Sequence, residues 1–244
     1  MSLYREQGVV LRTHRLGEAD RIVSLLTEGR GKVRAVAKGI RKTKSKFGAR
    51  LEPMTHVALQ LYEGRGDLDT ITQVETVEIF RPARENLDRV QKVGALLEVV
   101  DQVAQEGEPN VALYRMLLGA LRSLASADSP LLVAGFYWKL LSQEGFHPML
   151  DACASCGSEG PLVAFELGEG GTLCIACRRG TAVGVSADAL VLVREILGGG
   201  LAKALQEPPS QVTAEVEDLA VRAIEAHLER RLRSVRTWSG PGSQ

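Results

Sequence analysis

The chain has 244 residues, which is long for one domain and sufficient for two or three small ones. Hydrophobic residues make up 45% of it and charged residues 25%, fractions that are typical of a globular protein and argue against wholesale disorder. The formal net charge of zero would normally disfavour nucleic acid as a partner, but the charge is unevenly distributed. Residues 1–80 hold 14 Lys and Arg against 10 Asp and Glu, whereas residues 81–244 hold 16 against 20, so the N-terminal third is the basic end.

The sequence carries no recognisable targeting or membrane-spanning segment. Its first ten residues lack the apolar stretch of a secretory signal, and the most apolar run, 131–141, is short and contains Lys139. A bilayer span needs about 20 apolar residues, so this run predicts a buried helix. We therefore expect a cytoplasmic protein, whose four cysteines are reduced and must serve a purpose other than disulfide formation.

The first 80 residues predict five short strands. Turns rich in glycine, proline or charge separate apolar and β-branched runs, and five strands at this close spacing are typical of a small barrel or sandwich. The runs lie at 8–12, 21–27, 32–38, 56–62 and 70–79.

The third of these strands alternates between apolar and basic side chains. Because neighbouring residues of a strand point to opposite faces, Val33, Ala35 and Ala37 share one face, which we expect to be packed. The opposite, basic face carries Lys32, Arg34 and Lys38.

From about residue 83 the apolar residues recur at three- and four-residue steps, which predicts helices. The helical stretches lie around 90–103, 113–124, 130–141, 190–197 and 216–228. In the third, Ser129 is the expected N-cap and Pro130 the first helical residue. The fourth is expected to end at the glycines 198–200, and the last to carry the acidic residues of 215–218 near its positive N-terminal end.

All four cysteines fall in two Cys-x-x-Cys pairs, with 17 residues between the pairs. This spacing fits a zinc site, because each Cys-x-x-Cys turn presents two thiolates to one tetrahedral ion. Between the pairs, 162–167 can form a strand, 168–171 a turn and 172–173 a returning strand, which together predict a zinc-ribbon hairpin. The predicted ligands of one structural zinc ion are Cys153, Cys156, Cys174 and Cys177.

Redox activity and an iron–sulfur cluster are the alternatives to zinc for two such cysteine pairs. Redox-active pairs are expected in a thioredoxin-like βαβ setting, which the pattern does not predict, whereas an iron–sulfur cluster stays open because it too is held by four thiolates. Neither pair encloses a Glu or His that could act on a bound water, and we interpret His147 as structural. The expected ion therefore stabilises a short insert with little core of its own.

Residues 29–51 form a second candidate site, because they contain nine basic residues and no acidic one. Such density favours a phosphate-rich ligand through counterion release, and Phe47 offers a ring for stacking on bases. The alternative is a loop that is merely solvated. The predicted nucleic-acid-binding residues are Arg30, Lys32, Arg34, Lys38, Arg41, Lys42, Lys44, Lys46, Phe47 and Arg50.

A smaller basic group lies near the C-terminus. Cations at the end of a helix complement its dipole, which is sufficient to account for them, so a contact with nucleic acid stays open. The group consists of Arg230, Arg231, Arg233 and Arg236, with Trp238 beyond.

The stretch from Gly8 to about Gln73, and above all AKGIRKTKSKFGARLEP at Ala37–Pro53, resembles the RecO family of DNA repair proteins, which are recombination mediators. The resemblance implies a multi-domain α+β protein. Its N-terminal five-stranded OB-fold barrel would occupy 1–80, and an all-α helical domain would occupy 81–244, with a four-cysteine zinc ribbon inserted at about 150–180. Some relatives lack the cysteines, so the zinc prediction depends on the spacing alone.

The same resemblance implies a function in DNA recombination after damage. Members bind single- and double-stranded DNA, anneal complementary strands and, with RecR, help to load RecA onto strands coated by single-strand-binding protein, whose C-terminal tail they recognise. They have no known catalytic residues, and a cytoplasmic, nucleoid-associated location is expected. DNA-binding roles carry over to the basic positions from Lys32 to Arg50, and the apolar faces around 90–141 and 188–228 are the expected dock for the tail.

Three functions compete with this one. An RNA-binding protein of the translation apparatus is the first, since OB-folds and zinc ribbons both occur there. An enzyme is disfavoured, because the sequence has no P-loop, no His-Glu-x-x-His and no Gly-x-Ser-x-Gly. The third is a scaffold that never touches DNA.

Overall fold

The computed structural model of the protein describes residues 2–234. Arg236 and Trp238 of the C-terminal basic group therefore lie outside the described residues. The chain divides into two compact units, of which the first extends to Ser126 and the second begins at Ala127. The first three helices thus belong to the same unit as the strands, while a functional boundary near residue 80 stays a prediction.

The first unit is built on five strands, as predicted. They close into a barrel in the order β1-β2-β3-β5-β4, and neighbours are antiparallel except for β3 and β5. The bounds are β1 Leu3–Leu16, β2 Asp20–Thr27, β3 Gly31–Ala37, β4 Thr55–Tyr62 and β5 Asp69–Ile79. The first strand is longer at both ends than predicted, because polar segments without an apolar pattern pair with β2 and β4.

The barrel interior is filled by alternate residues of the strands and closed by the segment between β3 and β4. A 3₁₀ turn, Gly48–Leu51, places Leu51 beside Phe47 in this core. Removal of such side chains from water is the main stabilisation of a barrel this small. The buried core residues are Val10, Val23, Leu25, Val33, Ala35, Ala37, Ile40, Phe47, Leu51, Val57, Leu59, Leu61 and Ile71.

Three helices complete the first unit: α1 Arg81–Arg84, α2 Leu87–Val103 and α3 Val111–Ser126. The side chain of Asn86 caps α2 by accepting a hydrogen bond from the backbone N–H of Arg89. The imidazole of His56 on β4 is hydrogen-bonded to the hydroxyl of Tyr114 at 2.8 Å, which fixes α3 against the barrel.

The second unit combines helices with a small sheet of strand order β7-β6-β8. Helix α4 packs against α7, and α7 also packs against α5. The elements are α4 Leu132–Gln143, β6 Leu162–Glu166, β7 Gly171–Cys174, β8 Val183–Gly184, α5 Ala187–Glu195, α6 Leu201–Ala204 and α7 Gln211–His227. Among the helices of residues 2–234, none is long and apolar enough to cross a bilayer.

One predicted helix start is wrong and one predicted helix end is confirmed. Helix α4 begins at Leu132, because Leu131 has non-helical angles and the Ser129 hydroxyl accepts the Leu131 N–H in a preceding turn. The predicted end of the fourth helix at the glycines is confirmed: within the turn Ile196–Gly200 the backbone leaves helical angles at Gly199, with a φ of 99°, and the short helix α6 follows. Glycine tolerates this left-handed angle, which is typical of the residue that ends a helix.

The start of α7 also differs from expectation. A capping box between Ser210 and Thr213 begins the helix at Gln211, so no acidic residue lies in its first turn. The carboxylate of Glu215 instead accepts hydrogen bonds from the backbone N–H and the hydroxyl of Ser186, at 2.5 and 2.7 Å. This acidic side chain therefore connects α7 to the N-terminus of α5.

Candidate metal centre and nucleic-acid interface

The two Cys-x-x-Cys turns converge on one point of the second unit. The sulfur atoms of Cys153, Cys156, Cys174 and Cys177 all lie within 4.8 Å of one another. The distance between Cys156 Sγ and Cys174 Sγ is 3.8 Å. A tetrahedral zinc site with Zn–S bonds of about 2.3 Å has S···S edges of about 3.8 Å, so the arrangement fits such an ion.

The backbone around the cysteines accounts for their convergence. The predicted hairpin is present as β6 and β7, and β7 ends on Cys174. Ala154 N–H donates to the carbonyl of Thr172, and Thr172 N–H donates to that of Met149, both at 2.8 Å. Gly171 permits this approach, because a Cβ there would lie 2.8 Å from the Ala154 side chain.

Hydrogen bonds within the cluster shift the pKa values of two of the thiols in opposite directions. Backbone N–H groups, foremost that of Cys174, lower the pKa of the Cys153 thiol to about 6. Hydrogen bonds with neighbouring sulfurs, foremost Cys156, raise the pKa of Cys177 to about 12. A metal must displace the protons that remain on such thiols, so its binding is expected to depend on pH.

The basic face predicted for β3 is present, but it is not free. Val33, Ala35 and Ala37 are buried, and Lys32 and Arg34 lie on the opposite face. The Lys32 ammonium donates to the carbonyl of Asp101 at 2.7 Å, and Arg34 forms an ion pair with Glu106 at 3.7 Å.

The end of α2 and the loop after it cover this part of the barrel. Arg12 on β1 pairs with the nearly buried Asp101 carboxylate at 2.8 Å, and Lys32 N–H donates to the Gln105 carbonyl at 2.9 Å. The fit is close at Gly31, where a Cβ would lie 2.1 Å from the Glu108 carbonyl oxygen. The positive charge of Lys32 and Arg34 is thus used, at least in part, within the protein.

The segment after β3 presents a different surface. Residues 38–50 are mostly exposed, and hydrogen bonds fix them to the β1–β2 turn. Gly39 N–H donates to the Asp20 carboxylate at 2.7 Å, Arg41 N–H to the Ala19 carbonyl at 3.0 Å, and the Arg41 guanidinium to the Glu18 carbonyl at 2.8 Å. We call this segment the basic loop; it is held in a defined position although it contains little regular structure.

Within the basic loop, the cations serve different purposes. The Lys46 ammonium donates to the Thr72 carbonyl and the Arg50 guanidinium to the Lys46 carbonyl, both at 2.9 Å, so these two side chains also support the loop. The side chains of Lys38, Lys42 and Lys44 are exposed. Phosphate groups can therefore approach these three lysines without a structural change.

Two predicted residues do not fit this surface. Phe47 is 1% exposed and packs in the barrel core, so the prediction that its ring stacks on bases is wrong. An aromatic residue within a run of charges suggested a contact with a ligand, but the buried ring of Phe47 instead holds the basic loop against the barrel core. Arg30 precedes β3, at the opposite end of that strand from the basic loop, and its guanidinium lies 3.9 Å from the ring centroid of Tyr4.

One basic residue near the loop has no signal in the sequence pattern. Arg15 is exposed near the end of β1, beside the turn to which the basic loop is bound. Its neighbour in the antiparallel register is Arg21, which pairs with Glu52 at 3.0 Å. Only the long pairing of β1 with β2 brings Arg15 to this position, so the sequence did not predict it.

The fold and the two sites define a class: a protein that joins a small closed barrel with a basic loop to a helical unit with a four-cysteine cluster. The family described as "Recombination protein O N terminal" matches residues 1–80, and that described as "Recombination protein O C terminal" matches residues 84–236.

Curated relatives agree over nearly the whole chain. The chain is 43% identical to the DNA repair protein RecO of Streptomyces avermitilis and 44% identical to that of Streptomyces coelicolor, over 97% of this chain and 98% of each relative. The chain therefore belongs to the RecO family of DNA repair proteins.

Proposed function

We propose that this protein is a recombination mediator that binds single- and double-stranded DNA and anneals complementary strands. With a RecR-type partner it would help to load a RecA-type recombinase onto strands coated by single-strand-binding protein. The observation that carries the proposal is the exposed basic loop fixed on a rigid barrel of a RecO family protein. Its work would depend on binding alone, without a catalytic step.

The barrel supports this proposal through its topology. A five-stranded closed barrel with parallel β3 and β5 is the arrangement expected of an OB-fold, a frequent platform for single strands. Exposed Lys38, Lys42 and Lys44 can contact phosphates without reading the sequence. We assign Lys32 and Arg34 mainly to holding the end of α2, because both have acidic or carbonyl partners there.

For the cysteine cluster we propose one structural zinc ion. All four donors are sulfur, they lie within 4.8 Å of one another, and the buried apolar cluster of the hairpin is small, with Cys153, Ala164, Leu173 and Cys174. The ion would cross-link the two turns through four thiolate ligands and so replace the stabilisation of a larger core. Iron in freshly purified protein would contradict this assignment.

We further propose that the second unit recognises the acidic, apolar tail of a single-strand-binding protein. A cavity of about 640 Å³ borders the predicted apolar stretches: Trp138 and His227 of its lining belong to them, whereas Phe146 and Phe165 lie between them. We call it the α4–α7 cavity. Pull-down of purified tail peptide and of a RecR-type protein tests this part, and failure of both interactions would contradict it.

The main experiment measures affinity for single-stranded DNA against salt concentration, with and without the RecR-type partner. Charge reversal of Lys42 and Lys44 should weaken binding to all sequences and flatten the salt dependence. Lys203→Glu, on α6 of the second unit, is the control: it breaks an ion pair with Glu195 at 2.7 Å but should change neither DNA affinity nor its salt dependence. Stronger binding to RNA than to DNA of equal length would favour the translation-related alternative.

A further inference from the structure

The cysteine cluster and the α4–α7 cavity are parts of one arrangement in the second unit. The turn that joins β6 to β7 contributes Leu167, Gly168, Glu169 and Gly170 to the wall of the cavity. Phe165 on β6 packs edge-on against Trp138 of α4, with ring centroids 5.8 Å apart. The hairpin that ends on Cys174 is therefore also a wall of the cavity.

The four cysteine residues differ in exposure in a way that favours oxidation of one of them. Cys156 is exposed and Cys177 is half-buried, whereas Cys153 is 1% and Cys174 is 5% exposed. A close contact between sulfurs joins the two turns, with Cys156 Sγ 3.8 Å from Cys174 Sγ. An oxidant thus meets Cys156 first, and a second thiol from the other turn lies within reach.

We propose that the cluster is a peroxide-sensitive switch, in which a disulfide between Cys156 and Cys174 replaces the metal link and alters the hairpin wall of the α4–α7 cavity. This inference rests on the zinc proposal above. It adds to that proposal that oxidation regulates the cavity, through a disulfide between these two particular thiols.

The step balances with hydrogen peroxide as the oxidant. The Cys156 thiolate attacks one peroxide oxygen, which gives a sulfenic acid and releases hydroxide. The Cys174 thiolate then attacks that sulfur, the S–S bond forms and a second hydroxide leaves. Two protons convert both hydroxides to water, so two thiolates, one peroxide and two protons give one disulfide and two waters.

The consequence for the fold follows from the small core of the hairpin. With Cys156 and Cys174 joined, only Cys153 and Cys177 remain as possible ligands, and two thiolates are too few for a closed structural site. An S–S bond of about 2.05 Å also draws two sulfurs together that now lie 3.8 Å apart. Because Cys174 ends β7, this movement reaches the turn at 167–170 and the contact between Phe165 and Trp138.

The test uses the full-length chain with Trp238→Phe, so that Trp138 is the one remaining tryptophan. Zinc is first counted per chain in reduced protein, and peroxide is then added in measured equivalents. We expect one zinc ion released per peroxide consumed, a Cys156–Cys174 disulfide in peptide mass spectra, and a shift in Trp138 fluorescence. Dithiothreitol with added zinc should reverse all three changes.

Two variants provide the control. Cys156→His keeps a fourth zinc ligand but removes the exposed thiol, so peroxide should release zinc at least about tenfold more slowly. Cys153→His changes a buried ligand and leaves the reactive pair, so it should stay sensitive. If either variant fails to fold, the disulfide found by mass spectrometry and the zinc release of the wild-type protein still test the switch.

Several results would overturn the switch. The switch is refuted if zinc stays bound under peroxide, if the disulfide is confined to one turn, or if zinc is lost without a change in Trp138 fluorescence. Each of these results leaves the zinc proposal intact. Absence of zinc from the reduced protein would instead refute the zinc proposal and the switch with it.

Discussion

Replacement of Phe47 by Ala tests the clearest disagreement between sequence and structure. The ring lies in the barrel core at 1% exposure, although it stands between exposed cations. Phe to Ala changes at such sites cost about 3–5 kcal/mol, from lost burial and from the cavity left behind. This is a large part of the roughly 5–15 kcal/mol by which proteins are stable, and we expect the melting temperature of the first unit to fall by roughly 10–20 °C.

The assay combines denaturation with DNA binding at low temperature, where most of the variant is folded. The folded fraction should bind single-stranded DNA with nearly unchanged affinity and salt dependence. Phe146→Ala is the matched control, because that ring is 59% exposed and should cost under about 1 kcal/mol. Unchanged stability together with a binding loss of about 1–3 kcal/mol would refute the reasoning, since that is the result expected of a ring stacked on a base.

Three further predictions concern charge, metal and pH. Reversal of Lys42 and Lys44 should make the slope of log affinity against log salt less negative by at least about 1.4, from roughly 0.7 per phosphate contact. Lys32→Ala should instead lower stability in urea and leave that slope nearly unchanged. Cys174→Ser should remove zinc and destabilise the second unit without weakening DNA binding, as elemental analysis and titration will show. Burial lowers the pKa of His56 below 6.5, so below about pH 6.5 the unfolded chain binds a proton that the folded protein does not. The free energy of unfolding should therefore fall as the pH drops below that value. His56→Gln should flatten the pH profile of urea unfolding.

These predictions can fail separately. An unaltered salt slope after the double reversal would move the DNA surface elsewhere, for example to the C-terminal arginines. A Cys174→Ser protein that retains one full equivalent of zinc would contradict the four-ligand site. If wild type and His56→Gln lose stability in parallel below pH 6.5, other groups account for the acid sensitivity.

Local patterns in the sequence determined most of the elements and the metal ligands. Apolar and β-branched runs between turn residues predicted all five barrel strands, and alternation predicted the buried face of the third. Two Cys-x-x-Cys pairs at hairpin spacing predicted the cluster, because a turn and two returning strands suffice to bring four sulfurs together. In both cases the determining contacts are short-range along the chain.

Only the tertiary structure decided which charged and aromatic side chains are free. Lys32 and Arg34 are held by Asp101 and Glu106, about seventy residues away in sequence, and no local pattern announces such partners. Phe47 is buried because the loop folds back over the barrel, and Arg15 joins the basic loop through the long β1–β2 pairing. Charge and ring character are properties of a residue, but exposure depends on what the rest of the chain places beside it, and this the sequence pattern does not specify.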